Sequence, residues 1–159
     1  MSVADTLKIM GMRRTPTGTV LLVSPDKQLR GQLRACLIHE GIAANNLFAV
    51  ASGHACQTVV NQIRPRVTVI DDAITDTDGS TLLRTLRQQV PDSLVVYLAT
   101  HHTPELERAV RQLGVLYYTE KPPDEDSLRK VLGTVLHQPL QRDRPYVPLC
   151  KGDYSASIR

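Results

Sequence analysis

Short apolar runs alternate along this chain with longer stretches in which apolar residues return every three or four positions. The runs fall at residues 19–23, 47–51, 67–70, 94–99 and 115–119, too short for helices and continuous enough for strands buried on both faces. Between and after them, Leu29, Leu33, Cys36 and Leu37 mark the inner face of a first helix, and Cys56, Val59, Val60 and Ile63 that of a second. Leu82, Leu83, Leu86 and Val90 mark a third, Leu106, Ala109, Val110 and Leu113 a fourth, and Leu128, Val131, Leu132 and Leu136 a fifth. Punctuation residues fall where these boundaries require them. Pro25 suits the first turn of the first helix and Gly41 its end, Pro65 and Pro91 close the second and third, Pro104 opens the fourth, and Gly114 caps it. Strands alternating with helices through short connections predict an α/β fold with a parallel sheet covered on both faces.

The apolar run at 67–70 stops abruptly at Asp71, which places a carboxylate at the carboxyl end of a central strand. In an open parallel sheet that end borders the crevice where ligands and reacting groups gather. Asp78-Gly79 follows as a turn leading into the third helix. Asp72 points away from Asp71 by strand alternation and is expected to be structural or exposed.

A chain of 159 residues with 42% hydrophobic content suits one domain with tails. A net charge of +3, with basic residues scattered rather than gathered in one stripe, does not call for nucleic acid. No apolar stretch is long enough for a membrane span or a signal core, so a cytoplasmic protein without membrane contact is expected. Cys36, Cys56 and Cys150 lack metal-ligand spacing, and the first two read as reduced core residues. Residues 1–18 read as a flexible extension, and 138–159, with Pro139, Pro145 and Pro148, as an extended tail. His101 and His102 follow the fourth strand and are expected as exposed loop residues.

The spacing from Asp71 to Gly79, together with Tyr118-Thr119-Glu120-Lys121-Pro122, resembles the receiver (CheY-like) domain of two-component response regulators over about residues 19–137. That resemblance implies the flavodoxin-like (βα)5 arrangement, a doubly wound sheet of order 2-1-3-4-5. It implies Asp71 as phosphoacceptor from a phosphohistidine, Lys121 reaching the phosphoryl group, a cis bond before Pro122, and Tyr118 as the switch aromatic. In the family the first strand ends in an acidic pair, and magnesium is held by the phosphoacceptor, by an acidic residue just after that strand and by a backbone carbonyl two residues past the phosphoacceptor. In the family, partner and dimer contacts lie on the fourth helix, fifth strand and fifth helix. The implied partners are a histidine kinase or a downstream signalling protein, with a homodimer through that surface.

This chain departs from the pattern at several positions. Ser24 and Pro25 stand where the acidic pair is expected, and Asp26 either turns toward Asp71 as a replacement metal ligand or caps the first helix. The hydroxyl residue closing the fourth strand is Ala99, with Thr100, the remaining phosphate-contacting candidate, one residue late; Thr75 replaces a loop proline. These departures predict an atypical or pseudo-receiver, a protein–protein interaction module without catalytic activity or cofactor. The alternative is a single-domain phosphoacceptor with magnesium on Asp71 and Asp26. A flavin carrier of the same topology is disfavoured, because the segment from Ser24 to Lys27 has no glycine and few free N–H groups for a phosphate.

Overall fold

A computed structural model describes residues 18–137. Along the chain run β1 (Val20–Val23), α1 (Lys27–His39), a 3-10 turn (Ala44–Asn46), β2 (Leu47–Val50), α2 (Gly53–Ile63) and β3 (Val67–Asp71). They are followed by α3 (Gly79–Gln89), β4 (Leu94–Ala99), α4 (Pro104–Gln112), β5 (Tyr117–Glu120) and α5 (Glu125–Leu136). The strands form one parallel sheet in the order β2-β1-β3-β4-β5, as the resemblance implies. The expected N-terminal extension, apart from Gly18, and the expected tail with Cys150 lie outside the described residues.

Strand alternation divides the interior into two layers. Val20, Leu22, Val67, Val69, Val96 and Leu98 meet Leu29, Leu33 and Leu37 of α1 and Leu128, Leu132 and Leu136 of α5 on one face. Leu21, Val23, Ile70, Val95 and Tyr97 meet Cys56, Val60, Leu82, Leu83, Leu86 and Val110 of α2, α3 and α4 on the other. Both cysteines of this region are free and buried, and burial pushes the Cys56 thiol up to about 12. Thr68, polar yet wholly buried in β3, is satisfied by the Ser93 hydroxyl at 3.1 Å. Among the described residues no helix is long and apolar enough to cross a membrane.

Each helix begins at a side-chain cap, and two details differ from the pattern read in the sequence. Asp26, Ser52, Asp78, Thr103 and Asp124 accept hydrogen bonds from the first-turn N–H groups of α1 to α5 respectively. Because Asp26 is the cap, Pro25 stands outside α1 rather than in its first turn. Ala109 is exposed, since α4 rests on the sheet through a narrow stripe, Leu106, Val110 and Leu113, that leaves position 109 at its edge. Arg64 ends α2 in the left-handed conformation, with φ of 43°, just before Pro65.

The loop after β3 is fastened to the neighbouring helix. Asp76 accepts hydrogen bonds from the N–H groups of Gly53 and His54, both at 2.9 Å, so a carboxylate faces the positive end of α2. The His54 and Gly53 N–H groups hold the Asp76 carboxyl below its ordinary value of 3.8. A group depressed in the folded state contributes stability above its ordinary value, and that contribution is lost as pH falls through the folded value. Melting temperatures measured against pH should therefore show wild type above Asp76→Asn at neutral pH, with the gap closing below about pH 4.

Candidate functional site

The carboxyl ends of β1, β3 and β5 converge on Asp71. The side chain of Asp71 shares the face of Val67 and Val69, and the residue has no solvent exposure. Its charge is met entirely by the protein. Lys121 Nζ donates to Oδ1 at 2.9 Å, and the Ala73 N–H donates to the same oxygen at 3.0 Å. The Ser24 hydroxyl donates to Oδ2 at 2.7 Å. Ser24, itself buried, also accepts from the Asp26 N–H at 3.1 Å, so its hydroxyl is committed in both directions. Arg30 reaches back from α1 to donate to the Ser24 carbonyl at 2.5 Å, and the Ser24 N–H donates to Val50 O in β2. Lys121 is placed by its own N–H, which donates to Ala99 O at 2.9 Å, and the Lys121-Pro122 bond is cis.

Of the two dispositions open to Asp26, the structure shows the helix cap. Its Oδ1 accepts from Gln28 N at 2.9 Å and Leu29 N at 3.3 Å. Thr100 likewise stands apart from Asp71: its hydroxyl oxygen is buried without a hydrogen-bond partner, and its N–H donates to Asp72 Oδ1 at 2.7 Å. At the preceding position, Ala99 presents only a methyl group.

Magnesium takes six oxygen ligands in near-octahedral geometry, at least some of them carboxylates. Here Ser24 offers one committed hydroxyl, Pro25 no side-chain oxygen, and Asp26 a carboxylate spent on the α1 terminus. Both oxygens of Asp71 already accept from donors, one of them a cation. Among the described residues no group of three or more His, Cys, Asp and Glu side chains is arranged to hold a metal ion. The donor set at this site does not fit magnesium.

On the opposite side of β3 a second polar cluster surrounds Tyr118, which is 7% exposed. Its ring stacks on Tyr97 with centroids 5.8 Å apart and planes within 8°. The Tyr118 hydroxyl lies 2.9 Å from His102 Nδ1, and the Arg111 guanidinium sits 5.7 Å above the ring. Burial, then the charge of Glu107, pushes the Tyr118 phenol up to about 12, so it stays protonated. When that phenol donates to Nδ1, His102 Nε2–H is left facing Glu107 Oε2 at 3.7 Å, and Glu107 pairs with Arg111 at 2.8 Å. Tyr97 donates to Asp72 Oδ2 at 3.3 Å. Asp72 is thus structural; His101 and His102 are exposed, as expected, and His102 in addition bonds to Tyr118. Tyr97 was missed because an aromatic in an apolar run looks like any core residue.

A five-stranded parallel sheet of this order, with a buried carboxylate and an ammonium at the carboxyl ends of its strands, defines the class. A family model described as the response regulator receiver domain matches residues 20–133, and the chain belongs to that family. It is therefore a receiver domain of two-component signalling. The DNA-binding transcriptional regulator NtrC of Proteus hauseri is 29% identical over 111 residues, which are 69% of this chain and 22% of that protein. The chain thus spans about a fifth of that regulator's length. Among solved structures, the signal receiver domain of a DNA-binding response regulator from Colwellia psychrerythraea 34H superposes with a TM-score of 0.71 at 16% identity, covering 77% of this chain and 100% of that one. Chemotaxis protein CheY4 of Vibrio cholerae gives 0.66 at 21% identity, covering 76% of this chain and 99% of that one. At such identities these two structures establish the fold alone.

The buried ion pair makes a direct prediction. Removing one partner of such a pair leaves a buried charge uncompensated and costs about 3–5 kcal/mol, whereas replacing both by neutral groups of similar shape costs far less. Lys121→Ala should lower unfolding free energy in urea by about that amount. The double variant Asp71→Asn, Lys121→Met should recover most of it.

Proposed function

We propose that this receiver works as a signalling protein–protein interaction module whose partner-binding face is not switched by magnesium-dependent phosphorylation of Asp71. The observation that carries the reading is the closed hydrogen-bond shell of Asp71. Ser24 Oγ and Lys121 Nζ both donate to a carboxylate without solvent exposure, and Asp26 is turned into its helix cap. A phosphohistidine donor would have to open that shell, and among the described residues no group of three or more His, Cys, Asp and Glu is arranged to hold a divalent cation that would neutralise the incoming phosphoryl charge. On this reading the domain, residues 19–137, is not an enzyme, needs no cofactor and acts in the cytoplasm on a histidine kinase or a downstream signalling protein, without nucleic acid or membrane.

The face assigned to the partner is made by α4, β5 and α5. Glu105, Arg108 and Asp124 are exposed there, Tyr117 is half-buried, and Arg129 pairs with Glu125 and with Glu40 of α1. Such a mixed-charge surface suits a transient or self-complementary contact, and a homodimer through it is part of the proposal.

One pair of observations favours the second reading, a working phosphoacceptor. Lys121 lies 2.9 Å from Asp71, beside a cis bond to Pro122. Incubation with acetyl phosphate and magnesium, followed by intact mass, separates the two with Asp71→Asn as control. The expected result is no Asp71-dependent gain of a phosphoryl group and no magnesium-dependent change in the amide signals of Asp71 and Gly79. A gain abolished by Asp71→Asn would overturn the first reading and establish the second. Sedimentation at high concentration should show self-association; a monomer throughout would remove the homodimer.

A further inference from the structure

The contacts around Tyr118 form a closed circuit. From Asp72 Oδ2 it passes to the Tyr97 hydroxyl at 3.3 Å, across the stacked rings to Tyr118, and on to His102 Nδ1 at 2.9 Å. The backbone leads from His102 to Thr100, whose N–H returns to Asp72 Oδ1 at 2.7 Å. His102 and Tyr118 connect this circuit to α4 through Glu107 and Arg111. The Asp72 N–H adds a bond to Leu98 O at 3.1 Å, which fixes Asp72 itself against β4. The cluster around Asp71, made by Ser24, Lys121 and the Ala73 N–H, shares no side chain with this circuit.

From this juxtaposition we infer that Asp72, not Asp71, is the positioning residue for the partner-binding face, holding the β4–α4 loop and Tyr118 in one arrangement. The inference rests on the reading of α4, β5 and α5 as that face. Asp72 is suited to the task by its bonds. A carboxylate accepting a backbone N–H makes a charge-assisted bond, stronger than a neutral one, and this one grips the first residue of the loop. Its second oxygen selects the position of the Tyr97 hydroxyl and so of the stacked ring pair. Gly79 permits the approach: a Cβ there would stand 2.5 Å from Tyr97 Oη and 2.7 Å from Asp72 Cβ, so any side chain would push the two apart. Between the circuit and Asp71, the side chain of Ala99 has no polar atom to transmit a change from one to the other.

The test uses the full chain and nuclear magnetic resonance of backbone amides and tyrosine rings. Asp72→Ala should move the signals of Thr100, His102, Glu107 and the Tyr118 ring, and speed hydrogen exchange at the Thr100 amide at least about tenfold, the loss of one bond to a charged group. Asp71→Asn should leave those four signals in place. Tyr97→Phe, which keeps the stack and removes only the hydroxyl, serves if Asp72→Ala fails to fold, and should move Thr100 and His102. Displacement of His102 and Tyr118 by Asp71→Asn as large as that by Asp72→Ala would overturn the inference. So would an unmoved His102 and Tyr118 in both Asp72→Ala and Tyr97→Phe. Failure of the functional reading has a separate signature, the Asp71-dependent mass gain, which is read by mass and not by these signals.

Discussion

A carboxylate without solvent exposure at the end of β3 is the constraint to which the rest of this site answers. Asp71 is charged and buried, and a buried charge persists only when paired and hydrogen-bonded. Three separate segments supply the compensation: Ser24 from just after β1, Ala73 from the loop that Asp71 itself begins, and Lys121 from just after β5. The parallel sheet makes this convergence natural, since all its strands end on the same side. The cost of satisfying Asp71 internally is that its oxygens and the Ser24 hydroxyl are already engaged.

Two adjacent aspartates consequently do different work. Strand alternation sends Asp71 toward the layer of α1 and α5 and Asp72 toward that of α2, α3 and α4. Asp71 pairs with Lys121, while Asp72 takes the Thr100 N–H and the Tyr97 hydroxyl. Asp76, further along the same loop, reaches the N-terminus of α2. Three carboxylates of one short segment thereby fasten β3 to β5, to β4 and to α2, and the crevice and the α4–β5 face become separately supported parts of one fold.

The fold was legible in the chain because its information is local. Apolar runs bounded by Gly, Pro and Asp placed every strand and helix, since period and punctuation report backbone geometry directly. Asp71 was recognisable because the apolar run ended on it, and Lys121 because Tyr118-Thr119-Glu120-Lys121-Pro122 resembles the family's motif. The absence of acids at 24 and 25 was equally plain. By itself, then, the sequence determined the βα alternation, the carboxylate at the end of the central strand and the absence of acids at 24 and 25.

What each polar group bonds to was decided only by the tertiary structure. Asp26 had two destinations, and the choice of the cap followed from where α1 starts relative to Asp71. Ser24 carried no sign that its hydroxyl would reach across 47 positions to Asp71. Tyr97 looked like an ordinary strand residue, and Thr100 a candidate for phosphate, until β3 and β4 lay side by side and brought Asp72 to both. Hydrogen-bond partners distant in sequence depend on strand register and on angles at helix ends, and neither is encoded in local periodicity.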